Sequence, residues 1–198
     1  MPVTADIEAG YGQTPDEVMR SVTEIIAAGA VGVNLEDGTP RGSVPIRTPA
    51  DAADRVRAAR EAAKATAVPI VVNARTDLYS RNIGDEASRF DETVERGRAY
   101  LAAGADCVYP IGLRDPVTIG RLVKVLGAPI NIMVRAGLPS VTQLEALGVA
   151  RASTASAVAL MAMSMTRQVA DELRATGRFD KLAPAIAQAD AQRLFTGL

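Results

Sequence analysis

Short apolar or β-branched segments alternate with longer segments of helical periodicity along the whole chain. Six short segments have the length and composition of buried strands. They are residues 2–7, 31–35, 69–74, 106–111, 129–134 and, with a weaker pattern, 149–153. Strands that alternate with helices in this way predict an α/β fold built on a parallel sheet.

Helix start signals stand between these strands. Thr14, Pro15 and Glu17 provide a capping hydroxyl, a proline at the first helical position and a capping-box glutamate, which predicts a helix from Thr14 to near Gly29. Thr48 and Pro49 open a second helix in the same way. Further helices are predicted over residues 85–103, 115–126, 141–147, 154–176 and 184–194.

The tetrapeptide Ala-Ala-Gly-Ala occurs twice, at residues 27–30 and 102–105, each time before a predicted strand. A glycine at that place is typical of the left-handed end of a helix. No linker or low-complexity segment divides the chain, so we predict a single domain over residues 1–198 that ends in C-terminal helices.

Six βα units suggest a (β/α)8 barrel of the TIM type that is incomplete. A full barrel usually takes about 250 residues, and this chain has 198. Because Met1 runs directly into a predicted strand, we expect two units to be missing before it. An open six-stranded sheet is the alternative.

The composition limits the classes of partner that the protein is expected to bind. Lys+Arg 22 balance Asp+Glu 23, and aromatic residues make up 4%, so we expect no nucleic-acid partner. The longest apolar run, at residues 155–163, is too short to span a bilayer, and no signal peptide is evident. We therefore predict no membrane partner and, with one cysteine, a cytoplasmic location.

The chain has no histidine, which excludes Ser-His-Asp catalysis and imidazole zinc sites. The lysines lie in segments predicted as outer helices, so a Schiff-base lysine is not expected either. A metal should then be a hard cation held by carboxylates.

Polar residues alternate with apolar ones at the ends of the first three predicted strands. The polar set is Thr4, Asp6 and Glu8, then Asn34 and Glu36, then Asn73, Arg75 and Asp77. In a barrel these sets converge at the C-terminal mouth, where active sites lie. Asp6, Glu8 and Glu36 could not all stay ionised there without compensation by protons or a divalent cation, and Mg2+ meets that need.

Arg75 offers a planar guanidinium to a carboxylate or phosphonate, although a structural ion pair with Asp77 or Glu36 is the alternative. Asp37 and Asn73 are expected either to orient these groups or to cap loops. Cys107 lies in an apolar strand and is expected in the core rather than as a nucleophile.

Three motifs carry a family resemblance. They are Asp6-Ile7-Glu8-Ala9-Gly10-Tyr11-Gly12, Asn34-Leu35-Glu36-Asp37-Gly38 and Asn73-Ala74-Arg75-Thr76-Asp77. Together they resemble the isocitrate lyase and phosphoenolpyruvate mutase superfamily, in particular its carboxyphosphonoenolpyruvate mutase-like branch. Residues 104–106 and 148–151 extend the resemblance over nearly the whole chain.

The resemblance implies a Mg2+-dependent lyase or mutase that makes or breaks a C–C or P–C bond next to a 2-oxo acid, through an enolpyruvate-type intermediate. Its partner would be a small 2-oxo acid or a related carboxylate or phosphonate. By this resemblance Asp6, Glu8 and Glu36 match the Mg2+ site, directly or through water, and Arg75 matches the residue that binds the substrate acid. The residues predicted as catalytic are Arg75, Glu36 and Asp37, and those predicted to bind substrate are Arg75, Asn73, Gly10 and Tyr11.

The resemblance also implies a homo-oligomer, a dimer or tetramer, with residues 155–165 packed on a neighbouring subunit. Residues 38–45 lack the Cys, Lys and His of the loop found in the lyase branch, so the substrate stays open. Since family members carry two further βα units, a non-catalytic truncated paralogue or assembly subunit is the alternative.

Overall fold

The computed structural model describes residues 1–39 and 45–196. The chain divides into two compact units, Met1–Ser153 and Thr154–Leu198. The first unit holds the strands β1 (Thr4–Asp6), β2 (Gly32–Glu36), β3 (Val71–Thr76), β4 (Cys107–Pro110), β5 (Asn131–Met133) and β6 (Arg151–Ser153). Its helices are α1 (Pro15–Ala27), α2 (Pro49–Thr66), α3 (Glu86–Ala102), α4 (Pro116–Leu126) and α5 (Val141–Ala146). All six predicted strands are confirmed, with ends that differ by at most two residues.

The strands are parallel and follow the order of the chain. One sheet has the order β1-β2-β3-β4, a second pairs β5 with β6, and a parallel bridge between Val108 and Ile130 joins β4 to the segment before β5. This order lacks the reversal that a doubly wound sheet contains, and it is the order of a barrel of βα units.

The helices of this unit begin at capping residues, and the caps predicted at Thr14 and Thr48 are confirmed. Thr14 accepts a hydrogen bond from the Glu17 backbone at 3.3 Å, and the Glu17 carboxylate bonds back to the Thr14 N–H at 3.0 Å. Thr48, Asp85 and Asp115 each accept one hydrogen bond from a backbone N–H in the first turn of α2, α3 and α4. Ser140 forms a second capping box with Gln143 at the start of α5. These bonds satisfy backbone donors that a helix leaves unpaired in its first turn.

The repeated tetrapeptide ends α1 and α3 as predicted. Gly29 and Gly104 have φ values of +96° and +104°. In each case the alanine after the glycine donates to a carbonyl five residues back, over 3.2 Å from Ala30 and 2.9 Å from Ala105. This is the Schellman motif, which turns the chain directly into the next strand.

One side of the strands faces the helices and forms the core. Ile7, Val33 and Val72 are buried there with the alanines of α2, whose small side chains let helix and sheet approach closely. A second cluster gathers Val108, Ile130 and residues of α4 and α5. The opposite side of the strands is left for the polar residues.

The second unit contains α6 (Ala157–Thr176), a 3-10 turn at Asp180–Leu182 and α7 (Gln188–Arg193). None of the 20 residues of α6, all of them described, is buried. Across the described ranges of the chain, no helix has the length and apolarity that a bilayer crossing demands.

Candidate active site

The register of the first three strands brings the predicted polar residues onto one face. Asp6 pairs with Asn34 and Asn34 with Asn73, and one row higher Glu36 pairs with Arg75. Asn73 Nδ2 donates to Asn34 Oδ1 at 2.5 Å, so these side chains share a side of the sheet. The intervening residues point the other way into the apolar core.

Glu36 lies at the end of β2 and is 9% exposed. Its Oε2 stands 2.7 Å from Arg75 Nη1, and its Oε1 stands 3.9 Å from Arg81 Nη2. Burial raises the pKa of Glu36 to about 7, and although Arg75 opposes this rise, the nearby charges of Asp77 and Asp6 add to it. Glu36 is therefore a carboxyl beside two arginines whose charged form is disfavoured mainly by burial.

Arg75 sits between two carboxylates. Its Nε donates to Asp77 Oδ1 at 2.7 Å, in addition to the ion pair with Glu36. Burial works against the charged form of Arg75, but Asp77 and Glu36 outweigh burial and raise its pKa. Arg75 thus forms ion pairs with both Glu36 and Asp77, the two partners that the sequence offered as an alternative to substrate binding. The guanidinium stays charged on the polar face.

Asp37 does not line this face. It is 1% exposed, and its Oδ2 accepts from Tyr100 Oη at 2.6 Å and from Arg96 Nη1 at 3.2 Å. Its Oδ1 accepts from the Asp77 N–H at 2.9 Å. Burial raises its pKa, while these hydrogen bonds oppose the rise. Both oxygens are engaged inside the protein, where Asp37 ties the end of β2 to β3 and α3. The catalytic role of Asp37 stays a prediction.

Glu8 differs from the expected strand geometry. It has a left-handed φ of 48°, and its carbonyl accepts from the Glu36 N–H at 2.8 Å. The exposed Glu8 side chain lines a small cavity of about 100 Å³ together with Tyr11, Gln13 and Arg47. The turn after β1 thus carries Glu8 and Tyr11 away from regular strand positions.

Gly10 has a packing reason to be glycine. Its φ is +92°, and an added Cβ would stand 2.7 Å from Val18 Cγ2 of α1. The predicted contact of Gly10 with substrate stays a prediction, as does that of Tyr11, which is 67% exposed.

Two asparagines on the polar face have unused hydrogen-bonding atoms. Asn73 and Asn131 are each 1% exposed. Asn73 Oδ1 and both amide atoms of Asn131 are buried and lack partners within the described ranges 1–39 and 45–196. Buried polar atoms are rarely left unpaired, so these atoms indicate a place for water or a polar ligand.

The sequence-based prediction missed three residues of this face. Tyr109 pairs in register with Arg75 and is 4% exposed, and burial raises its pKa against the effects of Ser153 and Arg75. Arg151 of β6 acts electrostatically on Tyr109 and on Cys107, whose pKa burial nevertheless raises to about 11. The same alternation that selected Asn34 and Glu36 would have found Tyr109, Asn131 and Arg151 if applied to β4 to β6.

The donor set fits a hard divalent cation held by two carboxylates rather than three. Among the residues that the structure describes, no three His, Cys, Asp or Glu side chains form a group that could hold a metal ion. Asp6 and Glu36 remain together on the polar face, close enough for the Asp6 charge to raise the Glu36 pKa. Mg2+ commonly takes one or two carboxylates and completes its shell with water, so these oxygens suit it.

Residues 1–174 match the model of the family described as phosphoenolpyruvate phosphomutase. The chain belongs to this family. The expected membership in the isocitrate lyase and phosphoenolpyruvate mutase superfamily is thereby confirmed.

The chain is also similar in sequence to curated proteins. An uncharacterized protein of Mycobacterium tuberculosis (strain ATCC 25618 / H37Rv) is 34% identical over 155 residues, which are 78% of this chain and 54% of that protein. An oxaloacetate decarboxylase of Chromohalobacter salexigens is 34% identical over 157 residues, 75% of this chain and 51% of its own length. The chain therefore spans about half the length of these relatives.

Solved structures share the fold. A provisionally described lyase/mutase from Burkholderia cenocepacia J2315 superposes with a TM-score of 0.90 at 35% identity, covering 99% of this chain and 70% of that one. The structure of 2,3-dimethylmalate lyase superposes with a TM-score of 0.79 at 27% identity, covering 98% of this chain and 67% of that one. The structure of phosphonopyruvate hydrolase in complex with oxalate and Mg++ superposes with a TM-score of 0.79 at 25% identity, covering 98% of this chain and 68% of that one. This family contains lyases and mutases that act on 2-oxo acids.

Residues 38–45, where the sequence lacks the lyase-type motif, are covered only in part. Residues 40–44 lie outside the described residues, so the structure gives no account of that segment.

Proposed function

We propose that this protein is a Mg2+-dependent lyase or mutase that makes or breaks a C–C or P–C bond beside a 2-oxo acid, through an enolpyruvate-type intermediate. The observation that carries the proposal is the polar face on which Asp6, Glu36 and Arg75 come together. Family membership and the similarity to a phosphonopyruvate hydrolase solved with oxalate and Mg++ support it.

Asp6 and Glu36 would hold the cation, directly or through water, with Glu8 as a further candidate ligand. When bound, Mg2+ would stabilise negative charge that develops on the 2-oxo oxygen. Arg75 would bind the acid group of the substrate, because its guanidinium is charged and fixed by two carboxylates. Asn73 and Asn131 would orient the substrate through amide atoms that have no partner among the described residues.

Binding of oxalate, a mimic of enolpyruvate, tests this function. We expect calorimetry to show oxalate binding that requires Mg2+ and that weakens at least 10-fold in Asp6→Ala and in Arg75→Met. Glu145→Gln, which changes an exposed residue of α5, is the control and should bind as the wild type does. Binding without metal dependence, or binding unchanged in both site variants, would refute the proposal.

Turnover distinguishes an enzyme from a non-catalytic paralogue. Pyruvate release from oxaloacetate and from 2-methylmalate-like acids should depend on Glu36. Its absence for every acid tested, in a protein that binds Mg2+ and oxalate, would favour the non-catalytic alternative.

We also propose a homo-oligomer of two or four chains. The support is that α6 exposes large apolar side chains to solvent. Among them Val158, Met161 and Met163 are 67%, 71% and 67% exposed.

A further inference from the structure

Arg81 makes an unusual number of contacts for a partly exposed side chain. It lies in the turn after β3, and its Nε donates to Asp77 Oδ2 at 2.8 Å. Its Nη1 donates to two backbone carbonyls, Thr39 at 3.2 Å and Pro45 at 3.1 Å. Its Nη2 stands 3.9 Å from Glu36 Oε1. One guanidinium thus joins the polar face to the backbone after β2.

Arg75, Asp77, Arg81 and Glu36 form a closed ring of alternating charge, which we call the four-charge ring. Asp77 bonds Arg75 through Oδ1 and Arg81 through Oδ2. Glu36 faces Arg75 through Oε2 and Arg81 through Oε1. Asp77 is 1% exposed, so each arginine compensates a carboxylate that burial would otherwise penalise.

Gly38 leaves the space that Arg81 occupies. A Cβ at this position would stand 2.5 Å from Arg81 Nη2 and 2.6 Å from Asp77 Oδ2. Any side chain there would have to displace the Arg81–Asp77 pair. A substitution at Gly38 therefore displaces the Arg81 side chain without removing its charge.

We propose that Arg81 is a positioning residue that fixes the direction of the Arg75 guanidinium. While Arg81 occupies Asp77 Oδ2, Arg75 bonds Asp77 through Oδ1 alone, and the Arg75 Nη1 stays on Glu36. Without Arg81, Asp77 Oδ2 loses its partner, and a two-point pairing of Asp77 with Arg75 would turn the guanidinium relative to Glu36. The position of the Arg75 guanidinium is a property of the protein alone, whereas its effect on ligand binding rests on the proposed function.

The first arm of the test uses metal-free protein labelled with ¹⁵N. We expect the Nε–Hε signal of Arg75, assigned through Arg75→Lys, to move in Arg81→Met and in Gly38→Ala. The signal should stay in place in Arg98→Met, which removes an exposed arginine of α3. An Arg75 signal unchanged in both Arg81→Met and Gly38→Ala overturns the proposal, whatever the protein binds.

The second arm measures oxalate affinity at saturating Mg2+. We expect a Kd about 10-fold weaker in Arg81→Met and Gly38→Ala, with an unchanged number of sites per chain. Arg81→Lys should recover part of the affinity, because an ammonium can pair with Asp77 without the planar fork. A merely structural role would instead lower the number of competent sites and leave Kd unchanged, which would overturn the proposal.

The two arms separate this inference from the function on which it builds. A wild type that fails to bind oxalate with Mg2+ refutes the proposed function, and the NMR arm still decides the position of Arg75. A wild type that binds oxalate, beside variants that bind it equally well, refutes the role of Arg81 alone.

Discussion

At the scale of single residues, Glu36 shows how the polar face differs from an ordinary surface. Its carboxyl is nearly buried between two arginines, yet burial and the charges of Asp6 and Asp77 raise its pKa to about 7. A cation held by Glu36 would displace the proton that the folded protein otherwise keeps near neutral pH.

The raised pKa predicts the sign of a pH effect on stability. Between the ordinary pKa of 4.5 and about 7, the folded metal-free protein binds more protons than the unfolded chain, so this group lowers stability as pH rises through that range. Glu36→Gln removes the effect. The free energy of unfolding of Glu36→Gln minus that of the wild type should therefore be roughly 2 to 3 kcal/mol larger at pH 8 than at pH 4.5.

Urea unfolding at the two pH values measures this difference in metal-free protein. Glu145→Gln, at an exposed position, is the matched control and should track the wild type. Parallel pH dependences for wild type and Glu36→Gln would show that Glu36 has no raised pKa.

At the scale of secondary-structure elements, the turn after β1 is held by a buried arginine. Arg55 of α2 has a side chain 1% exposed, and its guanidinium donates to the carbonyls of Ala9, Gly12 and Gln13 at 3.1, 2.9 and 2.5 Å. Because this turn directly follows Asp6 and Glu8, a helix on the apolar side sets the backbone beside the polar face.

Arg55→Met should therefore loosen this turn and destabilise the protein by roughly 2 to 4 kcal/mol, since it leaves several carbonyls without donors. Arg57→Met on the same helix, where the side chain is 56% exposed, should change the free energy of unfolding by less than about 0.5 kcal/mol. Urea unfolding gives both values, and hydrogen exchange of residues 9–13 should speed up only in Arg55→Met. Equal effects of the two substitutions would contradict this account.

The elements were predictable from sequence because their signals are local. Capping residues such as Thr14 and Thr48 act within one helical turn, and the alternation of residues along a strand shows directly which of them share a face. The four-charge ring was not predictable, because Arg81 and Gly38 lie outside the strands and meet only through turns. The partners of Asp37 were not predictable either, because Arg96 and Tyr100 lie about 60 residues away in sequence, on α3.

At the scale of the whole molecule, α6 carries apolar side chains that its own unit leaves in contact with solvent. Light scattering after size exclusion should give two or four chains at micromolar concentration. Met161→Lys with Met163→Lys should shift the protein toward the monomer, because charges on an apolar contact surface lose hydration when it is covered. Arg167→Gln, at a position 85% exposed, should leave the assembly unchanged. A monodisperse wild-type monomer would refute the oligomer.

The two-sided strands have an evolutionary consequence. Along each strand, residues that anchor the helices alternate one by one with residues that face the polar side, so Val33 and Leu35 flank Asn34, and Ile130 and Ile132 flank Asn131. Under the proposed function, point substitutions at Asn34 or Asn131 would alter which small acids are accepted while the scaffold beneath stays intact. A lineage built on this arrangement would then be able to diversify its substrates through changes at a few positions.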